Sequence, residues 1–298
     1  MNRFGNFDSK FKLAAGLLLA LATSFCLLAI SLSVAHATMK PNRSSTSVPV
    51  FGPPTDIVKL TIRPGWRGSK GRSAIHYAGL HIQLAKGWYT YWRKPGMYGV
   101  PLQADWTGSR NLSEVEILWP TPTLIGTADV MVLGYRDAVT LPLIVRPHRA
   151  DEPVAVRARI FFGVCKEVCI PVMQTVSQQL SPQLRKPDPT ILAAIAHQPP
   201  LHIKTQSGPG FECNFTASDG RIRVATRFGP HEQFRDSLPL AVFEYFRPGI
   251  RFGSARVTRG SDGSVFAMAE AIADETFDSS RLLVSLFSQQ GARQFKGC

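Results

Sequence analysis

Two cysteines four positions apart, Cys165 and Cys169, are the residues of this chain best suited to do chemistry. They stand in the stretch Arg159-Ile160-Phe161-Phe162-Gly163-Val164-Cys165-Lys166-Glu167-Val168-Cys169-Ile170-Pro171-Val172. On one continuous strand, residues four apart lie ~13 Å from each other, whereas a disulfide needs Cα atoms within roughly 4.4–6.8 Å. The pair can bond only if Lys166-Glu167-Val168 turns. A three-residue hairpin loop does this, setting the cysteines opposite each other at the end of two strands. Gly163 before and Pro171 after suit strand ends beside such a loop. The closed loop is very small, so the bond removes little chain entropy from the unfolded state. Such a bond is a poor staple that can open and close without unfolding its domain, which favours a reversible dithiol/disulfide. Lys166 beside Cys165 favours its thiolate and Glu167 opposes it. Three other readings stay open. The bridge could be inert; the two thiolates with Met173 could hold Cu(I); or a cysteine could pair with a histidine as a nucleophile, although none of the seven histidines has a recognisable local setting.

Cys213 and Cys298 present a different case. They lie 85 residues apart, and joining them closes a long loop worth roughly 3–5 kcal/mol on the loop-entropy model. They are expected to form a structural disulfide, the competing reading being a free Cys298 or one paired with another molecule. The fifth cysteine, Cys26, falls in an apolar run near the start of the chain. Four cysteines in an oxidising compartment favour disulfides over a zinc site, so neither a resident metal nor a cofactor is expected.

The compartment follows from the first residues. Arg3, Lys10 and Lys12 precede a nearly continuous apolar or small run from Leu13 to Ile30, and Ala35-His36-Ala37 offers a small-x-small cleavage site. That order predicts a secretory signal peptide over residues 1–37, cleaved near Ala37, and an exported, periplasmic protein. The alternative is an uncleaved anchor, since the run is near the ~18 residues that can span a bilayer. The net charge is +13, of which the signal region carries +2 (three cations against Asp8), leaving +11. The cationic residues are scattered rather than striped, which argues against nucleic acid and for a weak attraction to anionic surfaces or acidic partners.

The elements that must position the cysteines read as strands. Residues 38–55 are polar and rich in Pro and Ser and form a flexible leader. From Asp56 onward come short alternating runs bounded by Gly, Pro, Asn or Asp. They cover Ile57–Ile62, Ser73–Tyr77, Gly79–Leu84, Glu114–Leu118, Ala138–Val145 and Val154–Phe162. Such runs, with almost no 3.6-residue periodicity, predict an all-β antiparallel sandwich or barrel. One helix is expected, capped by Asp188 with Pro189 at its first position and running through Ala196. It stops before Pro199-Pro200 and reads as a connector within a linker of residues 183–199. Further β-type runs follow at Arg221–Ala225, Leu240–Phe246, Ser264–Met268 and Arg281–Phe287. The chain is therefore expected to hold two β-domains, 56–182 and a smaller one at 200–298.

Three stretches carry a resemblance. They are Gly87-Trp88-Tyr89-Thr90-Tyr91-Trp92-Arg93-Lys94, Tyr135-Arg136-Asp137-Ala138-Val139-Thr140-Leu141-Pro142-Leu143, and Gly163-Val164-Cys165-Lys166-Glu167-Val168-Cys169-Ile170-Pro171. In order and spacing, residues 56–182 resemble the N-terminal periplasmic domain of the thiol:disulfide interchange protein DsbD. The resemblance implies an immunoglobulin-like sandwich whose cysteine pair takes electrons from a membrane-embedded thiol reductase. It implies delivery to periplasmic thioredoxin-like proteins, as a protein-disulfide reductase component of the kind that serves cytochrome c biogenesis. Cys165 and Cys169 then become the redox couple, with Cys169 the one that meets partner proteins. Tyr89 and Tyr91 become an aromatic wall beside it, plain strand packing being the other reading for both. The sequence departs from the family in three ways. Only three residues separate the cysteines. The family's aromatic cap has no counterpart in Ile125 to Val132, where Asp129 and Met131 stand. The membrane core and thioredoxin-type C-x-x-C domain are not in this chain, so another protein is expected to supply electrons.

Overall fold

The computed structural model describes residues 56–298 apart from 71–72, 96–98, 127–130, 204–210, 247–248 and 273–276. The expected signal peptide and leader lie outside the described residues.

The first part of the chain forms ten strands. They are β1 (Val58–Lys70), β2 (Ser73–Leu84), β3 (Tyr89–Tyr91), β4 (Gln103–Asp105), β5 (Leu112–Ile117), β6 (Thr123–Gly126), β7 (Met131–Arg136), β8 (Ala138–Pro147), β9 (Val154–Cys165) and β10 (Cys169–Leu180). Two sheets result, ordered β1-β2-β8-β5 and β10-β9-β3-β7-β6, with β4 added alongside β9. Alternation explains why they stack. Ala78, Leu80, Ile82 and Leu84 of β2 and Val154, Val156, Ala158, Ile160, Phe162 and Val164 of β9 all point inward and are buried. Burying every second residue of two facing sheets is the pattern of an antiparallel sandwich. The expected all-β fold is the one observed.

The two runs expected at Ser73–Tyr77 and Gly79–Leu84 are one strand. Gly79 does not break β2 but stays in register between Arg63 and Pro142. Its missing side chain makes room for α1 (Pro189–Ala196), whose Ile191 Cγ1 would lie 3.1 Å from a Cβ at that position. The helix begins as expected, with the Ile191 N–H donating to the Asp188 carboxylate at 3.0 Å. It is more than a connector, because Ile191 is fully buried against the first sandwich and Arg63 pairs with Asp188 at 3.3 Å.

Nine strands follow: β11 (Leu201–Ile203), β12 (Phe211–Ser218), β13 (Arg221–Phe228), β14 (Leu240–Tyr245), β15 (Arg251–Phe252), β16 (Arg256–Arg259), β17 (Val265–Ile272), β18 (Leu282–Ser288) and β19 (Gly291–Lys296). They build a second pair of sheets, β11-β19-β18-β14 and β12-β13-β17-β15, with β16 beside β17. Ile222, Val224, Val265, Ala267, Leu282 and Val284 fill the space between them. Cys213 in β12 is bonded to Cys298, just beyond β19, with Cα atoms 5.1 Å apart. That bond joins the two facing sheets. Phe287 and Ala292 of the second sandwich are buried in the core of the first, so the sandwiches meet through apolar side chains.

Candidate functional site

The long hairpin of β9 and β10 pairs without interruption from Val154 opposite Leu180 to Cys165 opposite Cys169. Lys166, Glu167 and Val168 form the loop, closed by the Lys166 N–H donating to the Val168 carbonyl at 3.1 Å. The cysteines are bonded, and their Cα atoms are 4.1 Å apart. Gly163 and Pro171 do not end the strands as expected; they face each other one full pleat further in. Pro171 is tolerated there because β10 is an edge strand, where a missing N–H leaves no neighbour unpaired. Gly163 is needed for space. A Cβ on it would lie 3.2 Å from Tyr91 Cε2 and 3.0 Å from Val100 Cβ.

The strand on the other side of β9 brings the tyrosines. β3 places Tyr89 opposite Cys165 and Thr90 opposite Val164. The buried Thr90 hydroxyl donates to the Gly163 carbonyl at 2.9 Å, tying β3 to β9 at the level of the cysteines. Tyr89 and Tyr91 both stand on the sheet face that carries the disulfide. The Tyr91 hydroxyl lies 3.0 Å from Cys165 Sγ and 3.1 Å from Cys169 Sγ. A disulfide sulfur carries no hydrogen, so the phenol is the donor, its single hydrogen shared between the two sulfurs. Burial, with the neighbouring Tyr89 adding to it, pushes the Tyr91 phenol up to about 12, which keeps that donor protonated throughout the neutral range. Tyr89 meets Tyr91 edge-on with ring centroids 5.8 Å apart, and the Arg136 guanidinium lies 5.8 Å from the Tyr89 ring centre. Ile125, Val132 and Tyr91 pack around Cys165.

The two sulfurs live in different surroundings. Cys165 is 0% exposed, whereas Cys169 is exposed. Lys166 and Glu167 lie 4.0 Å apart on the open loop, so their opposed fields partly cancel. Beside the charged loop side chains, Val168 is 65% and Met173 53% exposed, and Pro171 and Met173 alternate onto the same strand face as Cys169. Met173 is four strand positions from Cys169, ~13 Å along the strand, and so stands out of reach of an ion held by the two sulfurs. Among the described residues no group of three His, Cys, Asp or Glu side chains is gathered to hold a metal. Asp129 lies outside the described residues; Met131 is 36% exposed, at the start of β7.

Some residues that build the site carry no signal as chemistry. Thr90 reads as a strand residue between two tyrosines, and its bond to Gly163 spans 73 positions. Gly134 lies opposite Tyr91, and a side chain there would collide with the Thr90 carbonyl. Ile125 and Val132, facing each other across β6 and β7, supply an aliphatic cover for Cys165 in a stretch that holds no aromatic residue.

Comparison with known proteins bears on this geometry. Residues 72–181 match the family model described as the N-terminal domain of the thiol:disulfide interchange protein DsbD, well under half of the chain. The resemblance carried by the three motifs thus holds over a continuous stretch. In fold the chain is similar to the crystal structure of the N-terminal periplasmic domain of ScsB from Proteus mirabilis. The TM-score is 0.51 at 20% identity, over 80% of this chain and 90% of that one. The likeness in fold therefore reaches beyond the part matched by the family model. Among curated proteins, none matches the chain in sequence.

Proposed function

We propose that this chain is an exported thiol:disulfide interchange protein in which Cys165 and Cys169 relay electrons between a membrane thiol reductase and thioredoxin-like partners. The observation that carries the reading is the asymmetry of the pair. The exposed residue Cys169 at a hairpin tip is bonded to the fully buried Cys165, and the one hydroxyl hydrogen of a phenol is shared between their sulfurs. In the oxidised protein, a donor thiolate attacks Cys169 Sγ in line with the S–S bond. The bond breaks, a mixed disulfide forms, and Cys165 leaves as a thiolate that accepts from the Tyr91 hydroxyl. The donor's second thiol then resolves the mixed disulfide and departs oxidised, leaving Cys165 and Cys169 reduced with two protons taken up. In delivery the steps reverse. The Cys169 thiolate attacks the partner's disulfide, Cys165 attacks Cys169 Sγ, and the partner leaves as a dithiol. The apolar surface of Val168, Pro171 and Met173 supports a protein as the reacting partner rather than a small charged thiol.

The family match over 72–181 and the N-terminal sequence pattern support the same reading. The test equilibrates the purified protein in glutathione buffers of graded potential and quantifies each thiol by mass. A Cys165–Cys169 couple that titrates within the range of known thiol–disulfide carriers supports the relay. One that stays oxidised below about −300 mV, where structural bridges lie, rules it out.

A further inference from the structure

The tyrosine strand is short, and its exit is held both from its own sandwich and from the other one. β3 has three residues, Tyr89 to Tyr91. Trp92 donates its N–H to the Leu133 carbonyl at 2.9 Å, and its side chain is fully buried. It meets Phe287 of β18 edge-on at 4.9 Å. Arg93 follows, and its Nε and one terminal nitrogen each lie 2.9 Å from an oxygen of Glu244, in β14. The Glu244 side chain is 1% exposed and that of Arg93 20%. The same guanidinium lies 4.1 Å from the Trp92 ring centre. A buried, bidentate, fork-to-carboxylate pair is directional in a way that a surface ion pair is not. Tyr91 is therefore followed at once by two residues clamped to the second sandwich. Its hydroxyl reaches the sulfurs only if its backbone is held where it is.

We infer that the second β-sandwich is a positioning element for the dithiol site: Glu244 and Phe287, acting through Arg93 and Trp92, fix the end of β3 and thereby the Tyr91 hydroxyl on Cys165 and Cys169. This rests on the redox reading above and assigns the second sandwich a part in it. Glu244 touches no reacting atom and works only through the tyrosine. When the sulfur of Cys169 is attacked, Tyr91 is the group that meets the charge forming on Cys165, and the clamp determines whether it stays in place.

The experiment follows reduction of the Cys165–Cys169 bond in the full chain by dithiothreitol, with the Cys213–Cys298 bond counted separately by mass. A hydrogen bond to a developing charge is worth about tenfold in rate. Tyr91→Phe is thus expected to slow reduction about tenfold, and Glu244→Ala by a similar factor. Glu244→Gln, which keeps one acceptor for Arg93, should retain most of the native rate. The decisive measurement is the double variant. If Glu244 acts through Tyr91, adding Glu244→Ala to Tyr91→Phe changes the rate by less than about twofold. Effects that multiply to about a hundredfold, or a Glu244→Ala rate equal to or faster than native, overturn the inference. If Glu244→Ala does not fold, Phe287→Leu, which keeps the site apolar, is read against Tyr91→Phe in the same way. The redox reading fails on a different result, a couple that glutathione cannot poise, so the two failures are distinguishable.

Discussion

Removing each disulfide separately should give unequal losses of stability, and the inequality can be worked from loop length. The Cys165–Cys169 bond has a sequence separation of 4 and the Cys213–Cys298 bond one of 85. Because the stabilisation grows with the logarithm of the loop, the first is worth about 2 kcal/mol and the second about 4.5 kcal/mol. Two corrections apply. Cys165 is fully buried among Tyr91, Ile125 and Val132, so Cys165→Ala removes packed volume as well, costing about 1 kcal/mol more. Cys169 is exposed, so Cys169→Ser adds nothing comparable. Cys213 and Cys298 pack against the second core, which raises the cost of losing them too. The hairpin variant should thus lose about 3 kcal/mol and the Cys213→Ala/Cys298→Ala variant about 5 kcal/mol. Urea unfolding reads both, through shifts in midpoint at unchanged slope. If the hairpin pair costs as much as the long-loop pair, or more, its bond is a staple and the case for a switching bond collapses.

Two further changes test the scaffold. Gly134→Ala drives a Cβ onto the Thr90 carbonyl and close to Ile125. It should cost about 1–3 kcal/mol by overpacking, lengthen the Tyr91–sulfur contacts and slow reduction of the site bond; a variant with native stability and rate would contradict the crowding at β3. His76 is buried and its Nε2 has no partner among the described residues. Burial, then Arg67 and Arg185, lowers its pKa below the ordinary 6.5. The unfolded chain therefore takes up that proton first. Stability is full above about pH 6.5 and falls as the pH drops below it. His76→Gln should flatten part of that decline in a series of melting temperatures. The flattening should be partial, because His81 and His202 are lowered as well, each chiefly by burial.

The strands that hold the cysteines were legible because their pattern is strong. Val154 to Phe162 alternates cleanly, and the cysteine spacing by itself requires a fold-back after Cys165. Once that pair is set, the whole register of β9 against β10 follows. β10 was harder to read, because Pro171 and the run Gln174, Thr175, Ser177, Gln178 weaken the apolar face. Its position at a sheet edge, half-covered, is what permits that composition. β2 reads in the sequence as two runs either side of Ala78, and the helix lying over Gly79 explains why a glycine stands in the middle of one strand. The tyrosine pair stood out by its motif, but nothing local distinguished a wall residue from a packed one. That distinction rests on which face of β3 lies beside Cys165, and so on pairing across more than 70 positions.

Glu244 illustrates what a single sequence can signal without resolving. It stands in Leu240-Ala241-Val242-Phe243-Glu244-Tyr245, an otherwise apolar strand of the second sandwich. A carboxylate in such a run must either face water or find a cation, because an unpaired buried charge is far too costly to keep. The run therefore carries a requirement for a partner, but 34 Lys and Arg residues could meet it. The structure selects Arg93, 151 positions away, beside the tyrosine strand. Replacing a buried pair by apolar residues of similar size is often neutral or stabilising, so stability alone does not require a carboxylate at this junction. What the pair adds is direction. A bidentate fork fixes the angle and depth of the backbone next to Tyr91 in a way that aliphatic packing, free to slide, does not. A hydroxyl that must lie within about 3 Å of two sulfurs at once is where such a restraint matters, and this links the second sandwich to the chemistry of the first.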